Sequence, residues 1–287
     1  MILIAGATGK LGGLIAQQLS RQGEPVRVLV RADPAGSFGP TVEVAFGDLK
    51  DPSSLREACK GVDAVITTAN STARGGADTI ESVDLIGNRN LVDAAVSERV
   101  RRFIFISSLG AHPTSTMPLL RAKGETEKHL AESGMVWTSI QPNVYIDLLL
   151  MGVVGGPALS GAPVTLVGSG ERKHSFVTMS DVAAYTLAAL HSPAAENQTL
   201  RLGGPEPLSW RDVVAVFEQF LRHAVEVRTV PIGEPVPGMP DFIVQLLTAL
   251  ETYDSPMDMA GMAETYGVKG TSLREFLSST LPVQHVA

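Results

Sequence analysis

Residues 2–16, ILIAGATGKLGGLIA, commit the chain to a strand, an immediate tight turn and a helix. Apolar β-formers run straight into glycines at 6, 9 and 12, and Leu11, Leu14, Ile15 and Leu19 then recur at helical spacing. A buried strand that turns at once into a helix needs backbone freedom at its end. A phosphate approaches a helix N-terminus only where no Cβ blocks the way. The free N–H groups and the positive end of the helix dipole suit a pyrophosphate, so Gly6, Thr8, Gly9, Lys10, Leu11 and Gly12 are candidate dinucleotide contacts. A mononucleotide P-loop fits poorly, because Gly9-Lys10 would require glycine where Ile4 stands and Ser or Thr where Leu11 stands.

After this unit, strand and helix patterns alternate. Strands are expected at 26–30 (VRVLV), 42–46, 64–68, 103–106 and 136–140, with helices at about 10–22, 53–60, 83–97 and 119–133. Short, nearly continuous apolar strands between helices imply a parallel sheet covered on both faces. The expected fold is therefore α/β, a Rossmann-type doubly wound parallel sheet with ligands at the C-terminal strand ends and a smaller C-terminal substrate lobe. Residues 1–147 with about 176–205 form the expected dinucleotide-binding Rossmann domain, and 148–175 with 206–287 the substrate lobe.

The second strand ends at Arg31, about twenty residues past the glycine turn, where a carboxylate would take the ribose hydroxyls of NAD. An arginine can instead pair with the 2′-phosphate of NADP, so the expected cofactor is NADP(H). Lys10 would add a second positive charge, and Asp33 before Pro34 reads as a turn residue. The net charge of −7 gives no general attraction to nucleic acid. No run approaches a membrane span, and the N-terminus starts on a core strand rather than a signal helix, which makes the cytoplasm the expected location. The single cysteine, Cys59, reads as a small apolar helix residue, and the six scattered histidines suggest no metal site.

GATGKLG at 6–12, GDLKDPSSL at 47–55, DAVITTAN at 63–70, FIFISSLGA at 103–111, a lysine-bearing helix and SGMVWTSIQPNVY at 133–145 resemble an atypical short-chain dehydrogenase/reductase. More narrowly, they resemble the NmrA-like and isoflavone-reductase-like group, over about residues 1–205. The resemblance implies that Asp48 contacts the adenine amino group with the Leu49 backbone beside it. It also implies that 67–70, with Thr68, Ala69 and Asn70, line the ribose, and that Pro142, Asn143, Val144 and Tyr145 lie along the nicotinamide. The usual reductase of this family carries Ser and Tyr-x-x-x-Lys. Here Ser108 (or Ser107, otherwise a cofactor contact) and Lys123 stand in place, but the tyrosine position is Leu119, which can neither donate nor accept a proton.

Lys123 then has three readings: it holds the cofactor ribose, it is a general acid/base of lowered pKa, or it makes a surface pair with Glu127 at i+4. In isoflavone-reductase-like enzymes a lysine on this helix is catalytic. His112 and Tyr145 are further candidate donors, each with a plain alternative: an exposed loop histidine and a packed ring. Residues 148–163, LLLMGVVGGPALSGAP, would cover a hydrophobic substrate or simply pack. Ser180 or Asp181 is expected to cap the helix within 175–190, and Ser209 a later one. The C-terminal methionines suit apolar ligands or cores equally.

These features lead to an expected NADPH-dependent oxidoreductase, passing hydride to a small apolar or aromatic acceptor such as a quinone, enone, imine or ketone. Its partner would be that small molecule, with monomer and dimer both open. The alternative is an NADP(H)-binding redox sensor acting through a protein partner, as some NmrA-like relatives do. A nucleotide-sugar isomerase or epimerase is a weaker third, disfavoured by Leu119.

Overall fold

The computed structural model describes residues 1–34, 36, 38–71 and 76–281. Two compact units emerge: Met1–Pro142 with Val182–Arg201 and Thr265–Val268, and Asn143–Asp181 with Leu202–Glu264 and Lys269–Ala287. Residues 282–287 of the expected C-terminal lobe lie outside the described residues.

The first unit is built on β1 (Ile2–Ala5), α1 (Lys10–Arg21), β2 (Val26–Val30), β3 (Glu43–Phe46), α2 (Pro52–Cys59), β4 (Ala64–Thr67), α3 (Asn88–Ser97), β5 (Arg102–Ile106), α4 (Pro118–Ala131) and β6 (Val136–Pro142). With a later strand, β9 (Gln198–Leu202), these strands form a seven-stranded sheet in the order β3-β2-β1-β4-β5-β6-β9. The pairs from β3 through β6 are all parallel. This is the Rossmann-type doubly wound fold expected from the sequence. Side chains alternate across a strand. Leu3, Ala5, Val65, Phe103 and Phe105 enter one core with Leu55, Leu91 and Leu130 from the helices, and the alternate residues Ile4, Val28, Ile66 and Ile104 are equally buried. Both faces are covered, as a parallel sheet requires.

The strand order reverses between β1 and β4, where Ala5 pairs with Thr67. The turns leaving those two strands therefore start side by side, and this is where doubly wound sheets hold ligands.

The helix expected over 83–97 is not one regular element. Ile80–Gly87 is a wide, π-type helix that passes into α3 at Asn88. Its widening accompanies inward polar contacts: the Asp84 carbonyl accepts from Thr126 Oγ1 at 3.2 Å and from Asn88 Nδ2 at 3.3 Å. The strand expected at 136–140 continues to Pro142.

The second unit has its own core of Ile146, Leu150, Val154, Trp210, Phe217 and Leu277, among others. A wide helix over Ile146–Gly155, α5 (Gly156–Ser160), β7 (Val164–Val167) and β8 (His174–Ser175) precede α6 (Met179–His191), which begins in this unit and continues into the first. After β9 come β10 (Pro207–Leu208), α7 (Trp210–Leu221), β11 (Val227–Val230), α8 (Asp241–Leu250), α9 (Ala260–Tyr266) and α10 (Leu273–Thr280). Strand β7 pairs in parallel with β11, and β8 antiparallel with β10. The apolar 148–163 stretch turns Leu149, Leu150, Val153 and Val154 into this core, while Leu148 and Leu159 are exposed.

The cap at the start of α6 is neither Ser180 nor Asp181. Thr178 Oγ1 accepts the Asp181 N–H at 3.0 Å, and the Asp181 carboxylate instead holds Thr271 through its N–H and hydroxyl at 2.8 and 2.7 Å. The helix begins early enough for the threonine to reach its first free N–H groups. Ser209 does cap α7, in a capping box with Asp212.

Candidate cofactor and catalytic site

The turn after β1 is held by its own backbone. Gly6 sits at φ +87°, and the Gly9 N–H returns to the Gly6 carbonyl at 2.9 Å. A Cβ on Gly6 would stand 2.6 Å from Thr68 Oγ1, and one on Gly12 2.3 Å from the Gly6 carbonyl oxygen. Two of the three glycines are thus required by packing between this turn and the one after β4. Helix α1 starts at Gly9 with no side chain capping it, so its first N–H groups keep their capacity for an anion. Thr8 and Lys10 are exposed beside them, and Leu11 is buried beneath.

A cleft opens along these strand ends, lined by Gly6, Thr8, Arg31, Asp48, Leu49, Ala69 and Asp78 among others. Asp48 Oδ1 accepts the Lys50 N–H at 2.9 Å, which fixes the turn after β3. The Leu49 carbonyl is held by Asn90 Nδ2 at 3.0 Å. Thr68 Oγ1 lies 3.3 Å from the Gly6 carbonyl, and Asn70 Nδ2 donates back to the Thr68 carbonyl at 3.2 Å. Arg31, half-exposed, is tied to a partner that the sequence reading did not foresee: its Nη1 donates to Asp78 Oδ2 at 2.6 Å, while Lys50 Nζ takes Asp78 Oδ1 at 2.7 Å.

Lys123 lies on the inward face of α4 and is nearly fully buried. Its ammonium donates to the Ile106 carbonyl at 3.2 Å, sits 3.7 Å from Asp84 Oδ1, and stands 4.8 Å from the centre of the Phe105 ring. The surface pair with Glu127 is not formed. That carboxylate instead accepts from Ser139 Oγ and Gln141 Nε2 at 2.6 and 2.9 Å, because α4 turns this face toward β6. Burial pulls the Lys123 ammonium below its ordinary pKa, against the opposing field of Asp84. Asp84 in turn takes the Ser71 N–H and hydroxyl on Oδ2 at 2.9 and 2.6 Å. Asn88 links the same network to Thr67, Ala69 and Val83.

At the end of β5, Ser107 is buried with no hydrogen-bond partner for its hydroxyl among the described residues, and Ser108 beside it is half-buried. An unpaired buried hydroxyl costs about 1–3 kcal/mol unless a ligand answers it. Together with the uncapped helix and the glycine turn, this leaves the strand ends with donors suited to a dinucleotide. Leu119, in the first turn of α4, supplies no phenol. His112 is exposed, with Nδ1 on Thr114 Oγ1 at 2.8 Å.

Pro142 closes β6, its carbonyl accepting from Leu109 N at 2.9 Å. Asn143, Val144 and Tyr145 belong to the second unit. The Asn143 amide is engaged by the Ser255 carbonyl and hydroxyl, and its Oδ1 accepts the Val144 N–H at 2.9 Å. Burial, aided by Asp147, pushes the Tyr145 phenol up, so it holds its proton. Among the described residues no group of three His, Cys, Asp or Glu gathers in a metal-binding arrangement, and no helix is long and apolar enough to cross a membrane.

A family model described as NAD(P)H-binding matches residues 6–193. The chain belongs to this NAD(P)H-binding family. Its placement among the atypical short-chain dehydrogenases/reductases follows, and NAD(P)H is the cofactor of the domain just described. The NAD(P)H azoreductase of Xenophilus azovorans is 29% identical over 96% of this chain and 95% of its own length. Photosystem II assembly factor Ycf39 of Cyanophora paradoxa is 31% identical over 81% of this chain and 72% of its own. Among solved structures, the NADPH complex of an NADPH-dependent quinone oxidoreductase from Escherichia coli superposes with a TM-score of 0.81 at 23% identity, over 97% of this chain and 99% of that one. At that identity the likeness speaks for the fold.

Lys50, Asp78, Asp84, Asn88 and Thr126 escaped the sequence reading. Only Lys50, inside the GDLK segment, carried a usable signal: a cation two residues from the expected adenine contact.

Proposed function

We propose that the protein is an NADPH-dependent reductase delivering hydride to a small apolar or aromatic acceptor: a quinone, enone, imine or ketone. The observation that carries this reading is the pairing, at one set of strand ends, of a dinucleotide cleft having Arg31 past the end of β2 with a buried Lys123 held on the Ile106 carbonyl, next in sequence to the unpaired Ser107 hydroxyl, where the usual phenol is lacking. NADPH, when bound, supplies the hydride. In this reading the glycine turn and the start of α1 hold the pyrophosphate, Arg31 and Lys50 answer the 2′-phosphate, and Asp48 takes the adenine amino group. The Ser107 and Ser108 hydroxyls orient the acceptor, and the Lys123 charge stabilises the anion that develops on it. Acceptors whose reduced form is a weak base need little help from a buried acid, which suits Leu119. The full-length similarity to an azoreductase supports the reductase reading. The protein would work in the cytoplasm, as a monomer or dimer.

Fluorescence titration with NADPH and NADH, followed by oxidation with a panel of quinones, enones, imines and ketones, tests it. Turnover with NADPH preferred is the expected result, and Lys123→Ala should lower it at least tenfold; unchanged turnover and cofactor affinity in that variant would remove Lys123 from the scheme. A second reading, an NADP(H)-binding protein that acts through a protein partner without turnover, is favoured by Leu119 and by the similarity to an assembly factor. Tight NADPH binding with no acceptor consumed is its signature.

A further inference from the structure

The two cations assigned to the 2′-phosphate are already engaged. Asp78 presents a carboxylate whose side chain is only 6% exposed, and both of its oxygens are used: Oδ2 by Arg31 Nη1 at 2.6 Å and Oδ1 by Lys50 Nζ at 2.7 Å. Arg31 and Lys50 reach this carboxylate from the ends of β2 and β3, and Asp78 itself lines the cleft. Asp48 stands 3.9 Å from the Lys50 ammonium, so among the described residues two carboxylates face these two cations. The Lys50 hydrogen bond and the Arg31 charge hold Asp78 below the usual carboxylate range, so it is ionised at neutral pH.

A 2′-phosphate carries about −1.5 to −2 charge at pH 7 and seeks the same cations. It meets cations already engaged by a carboxylate rather than an open cationic pair. To bind Arg31 and Lys50 it must compete with Asp78 for them and come to lie beside a mostly buried carboxylate, a like-charge contact that disfavours binding. A ribose 2′-hydroxyl needs no such exchange, and a carboxylate is the group that accepts from it. We propose that Asp78 is a coenzyme-selectivity residue: an internal anion on Arg31 and Lys50 with which a 2′-phosphate has to compete, which narrows the preference for NADPH over NADH. This rests on the reading above that the 2′-phosphate belongs at Arg31.

Calorimetric titration of the whole protein with adenosine 2′,5′-bisphosphate and with adenosine 5′-monophosphate isolates the 2′-phosphate without any turnover. Asp78→Asn should tighten the bisphosphate about tenfold or more, by relieving one charge contact, and leave the monophosphate within about threefold. Asp78→Ser, smaller and uncharged, should move the ratio the same way, so the result does not hang on one variant's folding. In the parent protein the preference for the bisphosphate should stay below about a hundredfold, since two unopposed charge-assisted partners would exceed that. A larger parent preference, or a ratio that is unchanged or falls in both Asp78 variants, overturns the proposal. Arg31→Ala separates the two levels. If it leaves the bisphosphate affinity unchanged, the coenzyme reading fails and takes this proposal with it. If it weakens the bisphosphate while the Asp78 variants fail to tighten it, this proposal alone falls.

Discussion

Lys123 and Asp84 form a buried pair whose two halves are not equally provided for. Asp84 Oδ2 has two donors from Ser71, whereas Oδ1 has no hydrogen-bond partner among the described residues and faces the lysine 3.7 Å away. Removing one charge from such a pair strands the other, which typically costs about 3–5 kcal/mol, while replacing both is often close to neutral. Lys123→Met and Asp84→Asn should each lower stability by about 3 kcal/mol, and the double variant should recover most of the loss, as read from urea midpoints. Strictly additive losses would mean that the pair is not coupled. The lowered Lys123 pKa gives a second check with a definite sign. Between its folded value and the ordinary value of about 10.4, the unfolded chain binds more protons than the folded one, so raising the pH through that window stabilises the fold. The thermal midpoint of the parent should therefore rise relative to Lys123→Met as the pH is raised through that window towards 10, and a gap constant with pH would place the lysine in solvent.

Helix α4 shows at the scale of an element why some of the site was legible and some was not. Its position, and the inward Leu130, follow from periodicity within one segment. The same holds for the glycine turn and the strands, whose signals are local, and this is why the sheet and the turn at its first strand end could be read directly. The Lys123–Glu127 pair, one of three readings of that lysine, assumed a solvated face. What turns both side chains inward is the packing of α4 against the wide helix over Ile80–Gly87 and against β6, and no i+4 rule contains that information. Asp84 and Asp78 were invisible for the same reason, since each acquires its cation from a segment 28 to 47 residues away. Gly124 carries a related signal. Glycine in a helix interior costs about 1 kcal/mol against alanine, yet here a Cβ would stand 2.3 Å from the backbone carbon of His112 and 2.5 Å from its N and Cα. Gly124→Ala should thus destabilise by about 1–3 kcal/mol in denaturant titration, because the loop after β5 would have to move. A gain in stability would show that the loop yields freely. At Gly12 the obstacle is likewise backbone, the Gly6 carbonyl, so Gly12→Ala should disturb the turn and cofactor binding together.

At the scale of the whole molecule, the binding elements named for the pyrophosphate, adenine and 2′-phosphate all belong to the first unit, while the second keeps a separate apolar core around Trp210 and Phe217. A ligand that binds the native state and not the unfolded chain stabilises by about 2.7 kcal/mol at one hundred times its Kd. For a unit of this size each kcal/mol is worth about 2–4 °C. Saturating NADPH should consequently raise the calorimetric transition that unfolds the first unit by roughly 5–10 °C. The dependence on coenzyme concentration then becomes a direct reading of the cleft. At equal concentration NADPH should shift the transition further than NADH in the parent, Arg31→Ala should remove most of that difference, and Gly12→Ala should abolish the shift with either coenzyme. An equal shift by both coenzymes that persists in Arg31→Ala would mean that the protein recognises the pyrophosphate and adenine alone. The cluster of Arg31, Lys50 and Asp78 would then be a structural tie between turns rather than the place where the two coenzymes are told apart.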